Sequence, residues 1–194
     1  MKILIATHNK AKIWDYSRML KDKGFEVVTL KDLGISDKFD ETKDTFEENA
    51  LDKALFYFKK SSMPTLAEDG GIEIDHLNGE PGVMSRKWLG YEASDEELIV
   101  HLRKRIAEIP EDKRSARFSA VACLVKTDDE IHYSKNSTEG VLVDKMHSGY
   151  REGFPYRAFF KVLEFDKYYM ELTKEEYNSV NHRMRNVDEL IKYL

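Results

Sequence analysis

The chain has 194 residues, 41% hydrophobic and 11% aromatic, which is enough apolar material for a sizeable core and excludes wholesale disorder. Its 31 Lys and Arg against 36 Asp and Glu give a net charge of −5, which argues against a protein that coats nucleic acid and leaves room only for a local basic site. A single cysteine excludes an intrachain disulfide framework and a multi-cysteine zinc site, and no apolar stretch reaches the roughly 20 residues of a membrane helix. That cysteine, Cys123, lies in the run AVACLV and reads as an inert buried thiol. The length suggests one domain, residues 1–194, in one or two lobes. The opening MKILIATHNK is too short an apolar run for a secretory signal, so a reducing cytoplasm is the expected location.

In chain order, Lys2 to Ala6 reads as a buried strand. Helical spacing starts at Ile13 and continues through Tyr16, Met19 and Leu20, with Gly24 placed to end it. FEVVTL, from Phe25, is a second strand. Thr45 to Lys60 predicts a helix with the stripe Phe46, Ala50, Ala54 and Phe58. Thr45 and Glu48 have capping-box spacing at its start. TLAEDGGIEIDHL reads as strand, turn, strand, and NGEPGV as a turn cluster. Asp95 to Ile106 is a helix. Phe118 to Val125 and Ile131 to Val143 are long antiparallel strands, and Arg157 to Phe165 is a further strand. After Thr173 the chain is helical, with a break near Asn181. This order predicts a mixed α/β fold, with a central mixed sheet flanked by helices.

Four segments carry candidate chemistry. THNKAK, Thr7 to Lys12, joins a strand to a helix, where free N–H groups and a positive helix end meet an anion. The plainer reading makes Asn9 a helix cap and the lysines solvated. In FEENALDKA, Asn49 and Lys53 share a helix face, and Glu48 is either a capping acid or a magnesium ligand. In LAEDGG, Glu68 and Asp69 precede two glycines. They suit Mg²⁺ plus phosphate oxygens, or a base for an attacking water; Asp-Gly is equally a hairpin turn. NHR, Asn181 to Arg183, opens the last helix and offers Arg183 to a phosphate or a purine edge; a polar surface start of that helix is the plainer reading. Together these suit metal-assisted attack on a phosphoanhydride.

The same segments resemble the inosine triphosphate pyrophosphatase family, which removes non-standard purine nucleotides such as dITP and XTP. The family's T-x-N-x-x-K matches Thr7, Asn9 and Lys12. Its F-x-E-N-A-x-x-K-A matches Phe46, Glu48, Asn49, Ala50, Lys53 and Ala54. Its A-D-D-S-G stands here as Ala67, Glu68, Asp69, Gly70 and Gly71, and its G-x-P-G-x-x-S as Gly79, Pro81, Gly82 and Ser85. A-R-F matches Ala116 to Phe118, and S-H-R stands as Asn181, His182 and Arg183. The resemblance implies an elongated mixed sheet with a cleft between two lobes, a homodimer, and Mg²⁺-dependent hydrolysis of a nucleoside triphosphate to monophosphate and pyrophosphate. It implies that Thr7, Asn9, Lys12, Asn49 and Lys53 hold the triphosphate. Asp69, Lys12 and Lys53 would carry the chemistry, and Glu48, Asp69 and Glu68 would be the metal candidates. Gly70, Ser85, Phe154, Tyr156, Arg157, Tyr177, Asn181, His182 and Arg183 complete the implied substrate contacts.

The departures concern the base. The family's G-F-G-Y-D-P-I-F stands here as GFPYRAFF, Gly153 to Phe160, so an aspartate has become Arg157. A family lysine has become Tyr177, and the serine of S-H-R is Asn181. Arg157 reverses both the charge and the hydrogen-bond sense of that position. The expectation is retained pyrophosphohydrolase chemistry with a shifted or relaxed base preference, with Tyr177 stacking on the base. The alternative is a non-catalytic nucleotide binder derived from the family.

Overall fold

The computed structural model describes all 194 residues, Met1 to Leu194. Seven strands form one mixed sheet in the order β2-β1-β3-β4-β5-β6-β7, accompanied by five α-helices. β1 (Lys2–Ile5) pairs in parallel with β2 (Glu26–Thr29) and with β3 (Thr65–Ile74). α1 (Lys10–Asp22) and α2 (Phe46–Ser61) supply the crossovers that parallel pairing requires. β4 (Ser115–Thr127) turns at Asp128 and Asp129 into β5 (Glu130–Leu142), and β6 (Phe160–Val162) lies antiparallel between β5 and β7 (Lys167–Tyr168). No helix is long and apolar enough to cross a membrane.

The chain divides into two compact units. The first comprises Met1–Asp69, Ala120–Asn136 and His182–Leu194, and the second Gly70–Ser119 and Ser137–Asn181. Each has its own core. In the first, Tyr16, Met19 and Leu20 of α1 pack on Ile3, Ile5 and Leu66, with Val187 and Leu190 of α5 (His182–Leu190). In the second, Leu98, Leu102 and Ile106 of α3 (Asp95–Glu108) pack with Ile72, Ile74, Phe159 and Phe160.

Local sequence explains most boundaries. α1 starts at Lys10, earlier than its apolar spacing suggests, because the Asn9 side chain accepts hydrogen bonds from the backbone N–H of Ala11 (2.9 Å) and Lys12 (3.3 Å). Lys10 and Lys12 therefore sit in its first turn. On α2 the buried stripe is Phe46, Ala50, Ala54 and Tyr57, with Phe58 only half-buried, since eleven residues close three helical turns more nearly than twelve. α3 opens on a complete capping box between Ser94 and Glu97. α4 (Lys174–Val180) and α5 are separated by extended Asn181, the break the sequence predicts.

Two expectations are corrected. LAEDGG does not turn; β3 runs unbroken from Thr65 to Ile74. A Cβ on Gly71 would overlap the Ser85 hydroxyl and the Gly82 carbonyl, so that glycine permits close approach instead of a bend. The strand expected over Arg157 to Phe165 is only β6. Pro155 opens a 3₁₀ turn that carries Tyr156, Arg157 and Ala158 buried within it.

Candidate active site

The first unit gathers most of the predicted phosphate and metal residues. Thr7 and Asn9 follow β1. The Thr7 hydroxyl accepts from the Asn9 N–H at 3.2 Å, and the Asn9 side chain caps α1. The plainer reading of that segment therefore holds for the Asn9 cap and for exposed Lys10, whereas Lys12 is not solvated. Its ammonium reaches the Glu68 carboxylate and the Glu68 carbonyl, each at 3.4 Å. Lys53 is also buried, on the face of α2 that carries Asn49, and its ammonium is paired with the Glu41 carboxylate. Asp69, at the point where β3 leaves this unit, accepts a hydrogen bond from the Asn49 amide at 3.0 Å.

Charges set the protonation of this cluster. Burial pushes the Asp69 carboxyl up to about 6. The nearby Glu41 charge adds to that rise, and Lys53, Lys12 and the Asn49 hydrogen bond oppose it. Glu68 behaves oppositely. Burial works against its charge, but Arg183 and Lys12 outweigh burial and hold the carboxyl well below the usual range. Arg183 donates from Nε (2.8 Å) and Nη2 (3.2 Å) to the two oxygens of Glu68, and its Nη1 lies 3.8 Å from buried Asp15. Lys12 is raised despite its burial by Glu68, Glu41 and Asp69, so it stays charged at neutral pH.

His182 opens α5 in the first unit, where it is buried, and the remaining predicted residues lie in the second unit. The Ser85 hydroxyl accepts from the Ile72 N–H at 3.0 Å and donates to the Gly82 carbonyl at 2.6 Å, so it holds a turn against β3. The Tyr156 hydroxyl donates to the Ser85 carbonyl. Arg157 is 2% exposed, with its guanidinium 3.9 Å from the centre of the Phe154 ring and 4.2 Å from that of Tyr169. Tyr177 meets Tyr169 edge-on at 5.6 Å, and Asn181 is buried.

The Ham1 family model matches residues 3–193. The chain belongs to the Ham1 family. It is 37% identical to the dITP/XTP pyrophosphatase of Thermoanaerobacter sp. (strain X514), over all of this chain and 96% of that protein. It is 32% identical to the dITP/XTP pyrophosphatase of Bacillus subtilis (strain 168), over 98% of this chain and 96% of that protein. Among solved structures it resembles the Ham1 protein of Staphylococcus aureus, with a TM-score of 0.81 and 32% identity over 100% and 97% of the two chains. A HAM1 protein from Coxiella burnetii gives a TM-score of 0.85 and 28% identity, over 100% and 98%.

This Ham1-family chain offers few oxygen donors to a divalent metal. No three His, Cys, Asp or Glu side chains converge as a metal cage. Asp69 and Glu48 are oxygen donors of the kind Mg²⁺ accepts alongside phosphate and water. Glu48 is exposed at the start of α2, where its backbone N–H donates to the Thr45 hydroxyl at 3.2 Å and its carboxylate accepts from that hydroxyl at 2.8 Å; the reciprocal bond of a capping box, from the Thr45 backbone N–H, is not formed, and the carboxylate faces solvent. Both oxygens of Glu68 are engaged by Arg183. Glu41 was missed in the sequence, because it lies in a polar loop with no periodic signal. Its only cue is its position four residues before Thr45, next to FEENALDKA.

Proposed function

We propose that this chain hydrolyses a nucleoside triphosphate to the monophosphate and pyrophosphate, with Mg²⁺, and removes non-standard purine nucleotides of the dITP, ITP and XTP class. The observation that carries this reading is buried Asp69, anchored by Asn49 and within the fields of the Lys12 and Lys53 ammonium groups. A carboxyl near 6 is largely ionised at neutral pH yet basic enough to take a proton, which suits a general base. In the proposed step Asp69 takes the proton of a water whose oxygen bonds to the α-phosphorus. The bond from that phosphorus to the bridging oxygen breaks, and pyrophosphate leaves. Lys12 and Lys53 neutralise charge on the leaving group, and Thr7, Asn9 and Asn49 help to position the phosphates and the loops that hold them. Asp69 and Glu48 would hold Mg²⁺, which supplies charge neutralisation on the phosphate oxygens. Glu68 we assign to clamping Arg183 and Lys12.

The base falls to Phe154, Tyr156, Arg157, Tyr177, Asn181 and His182, with Gly70 and Ser85 supporting the backbone of the second unit. Arg157 presents donors where the family has an acceptor, so we infer a shifted or relaxed base preference. By the same resemblance we expect residues 1–194 to act as one catalytic domain, in a cytoplasmic homodimer, and analytical ultracentrifugation checks the oligomer. The activity test is pyrophosphate release with Mg²⁺ from ITP, XTP, the standard ribo- and deoxynucleotides and modified purine triphosphates. Turnover of at least one of these should fall by about 100-fold or more in Asp69→Asn, the usual scale of losing a general base. Preference for ITP and XTP at the expense of all others would overturn the inference on Arg157. Nucleotide binding without any turnover would replace the enzyme with the non-catalytic binder.

A further inference from the structure

Arg157 is a buried cation without a counter-charge. It sits on the 3₁₀ turn Pro155–Phe159, and Nη2 of its guanidinium is enclosed with no hydrogen-bond acceptor. Its close neighbours are two aromatic rings, with Cζ 3.9 Å from the centre of Phe154 and 4.2 Å from that of Tyr169. Such rings attract a cation and offset part of its desolvation, but they bring no negative charge. The acids on the neighbouring segments are committed elsewhere. Asp95 accepts from Arg86 and from the Gly153 N–H at 2.6 Å. Glu171 accepts from the Tyr168 N–H at 3.0 Å, and Glu176 pairs with Lys167 at 2.5 Å. The turn itself is fixed, because the Arg157 N–H donates to the Phe154 carbonyl at 3.3 Å and the Tyr156 hydroxyl donates to the Ser85 carbonyl. Tyr169 is buried and Phe154 only half-buried, so Phe154 is the cover on the solvent side of the guanidinium.

An uncompensated buried charge is strongly destabilising, and a ligand that brings the opposite charge removes that cost when it binds. A neutral base offers Nη2 a carbonyl oxygen but no charge. Hypoxanthine, guanine and xanthine share the O6 and N7 acceptors, so a neutral donor would treat them alike. Xanthine differs in its ring. A 2,6-dioxopurine nucleotide loses a ring proton below neutral pH, and its base is an anion at pH 7.5. We propose that Arg157 makes the base site of this chain selective for an ionised 2,6-dioxopurine, so that XTP is favoured over ITP and GTP. This rests on reading Phe154 to Arg157 as a base-binding segment, and it gives the shifted base preference a direction. Phe154 turns aside to admit the edge of the base, and Nη2 donates to an oxygen or nitrogen of the anionic ring in a charge-assisted bond. Adenine, which sets an amino donor against the arginine donor, is disfavoured further.

The test is titration calorimetry of the full chain with XTP, ITP and GTP at pH 7.5 in metal-free buffer, where the phosphates are common to all three and only the base differs. XTP should bind about ten-fold more tightly than ITP, the low end of what a hydrogen bond between charged groups contributes. GTP, neutral like ITP, should bind as ITP does. GTP matching XTP would mean that the substituent at the 2-position is read instead of the ring charge, and overturns the proposal. Arg157→Met, which keeps an unbranched side chain without the charge, should bring the XTP and ITP affinities together. Arg157→Lys should keep XTP first. Equal affinities in wild type overturn the proposal, and so does a preference for XTP that survives in Arg157→Met, since another group would then set it. Wild-type protein supplies a readout if the variants fold poorly. XTP should raise its Tm more than ITP does at equal concentration, and an equal or reversed shift overturns the proposal. In pyrophosphate release with Mg²⁺, the ratio of kcat/KM for XTP to that for ITP should fall in Arg157→Met by the same factor as the binding ratio. Selective XTP binding without hydrolysis of any triphosphate would sustain the selectivity and fail the proposed function. Hydrolysis of XTP and ITP with equal kcat/KM would do the reverse.

Discussion

Adjacent carboxylates on one strand have opposite fates here, and their neighbours decide which. Asp69 accepts from the Asn49 amide and lies in the field of the Glu41 carboxylate; burial, aided by that charge, outweighs Lys53, Lys12 and the amide, so its proton is held to about 6. Glu68 is met by a guanidinium on both oxygens and by an ammonium, so its charge is locked on. Two such groups cannot share one role, although LAEDGG presents them as equivalents. Glu68→Gln should therefore act on stability. It leaves Arg183 and Lys12 buried with a neutral partner, a loss of about 3–5 kcal/mol. Urea unfolding in metal-free buffer checks this through the midpoint at unchanged slope. Were Glu68 chiefly a metal ligand, the variant would keep its metal-free stability and lose only activity.

At the scale of elements, the sequence speaks clearly where one periodicity or one cap decides. The Asn9 cap, the Thr45 and Ser94 starts and the Asn181 break are all legible from local chemistry. β3 is not, because Asp-Gly-Gly is equally a turn and a strand pressed against another backbone, and only the tertiary neighbour distinguishes them. Glu41 escapes for a similar reason: its partner Lys53 lies across a loop, and no local pattern encodes that pairing. The turn packed against Gly71 yields a prediction. Gly71→Ala forces its Cβ onto the Ser85 hydroxyl and the Gly82 carbonyl, costing about 1–3 kcal/mol by overpacking. Ser85→Ala added to it should not restore stability, because the Gly82 carbonyl is backbone and remains in the way. Denaturant unfolding of the single and double variants decides; full rescue by Ser85→Ala would place the conflict in the hydroxyl alone.

For the molecule as a whole, the single cysteine serves as a reporter on folding. Cys123 is fully buried in β4, and burial pushes its thiol up to about 12, with a Tyr133 hydrogen bond opposing that rise. A thiol so placed is almost wholly protonated at pH 8 and should not react with a disulfide reagent while the chain is folded. One thiol per chain should appear on denaturation. The same shift has a thermodynamic consequence whose sign is fixed. Above about pH 9, the unfolded thiol gives up its proton and the folded one keeps it. The folded state then binds more protons, and stability falls as pH rises, by at most about 1.4 kcal/mol per pH unit. Below about pH 9 both states hold the proton and the contribution vanishes. The buried tyrosines Tyr16 and Tyr156, also raised by burial, begin to add to the loss only above their ordinary value near 10. Between pH 9 and 10 the loss should therefore be absent from Cys123→Ala. Parallel urea titrations of the two proteins at pH 8, 9 and 10 test it. An equal decline in both would assign the alkaline loss to other groups, and prompt thiol reaction at pH 8 would mean that β4 opens without unfolding of its unit.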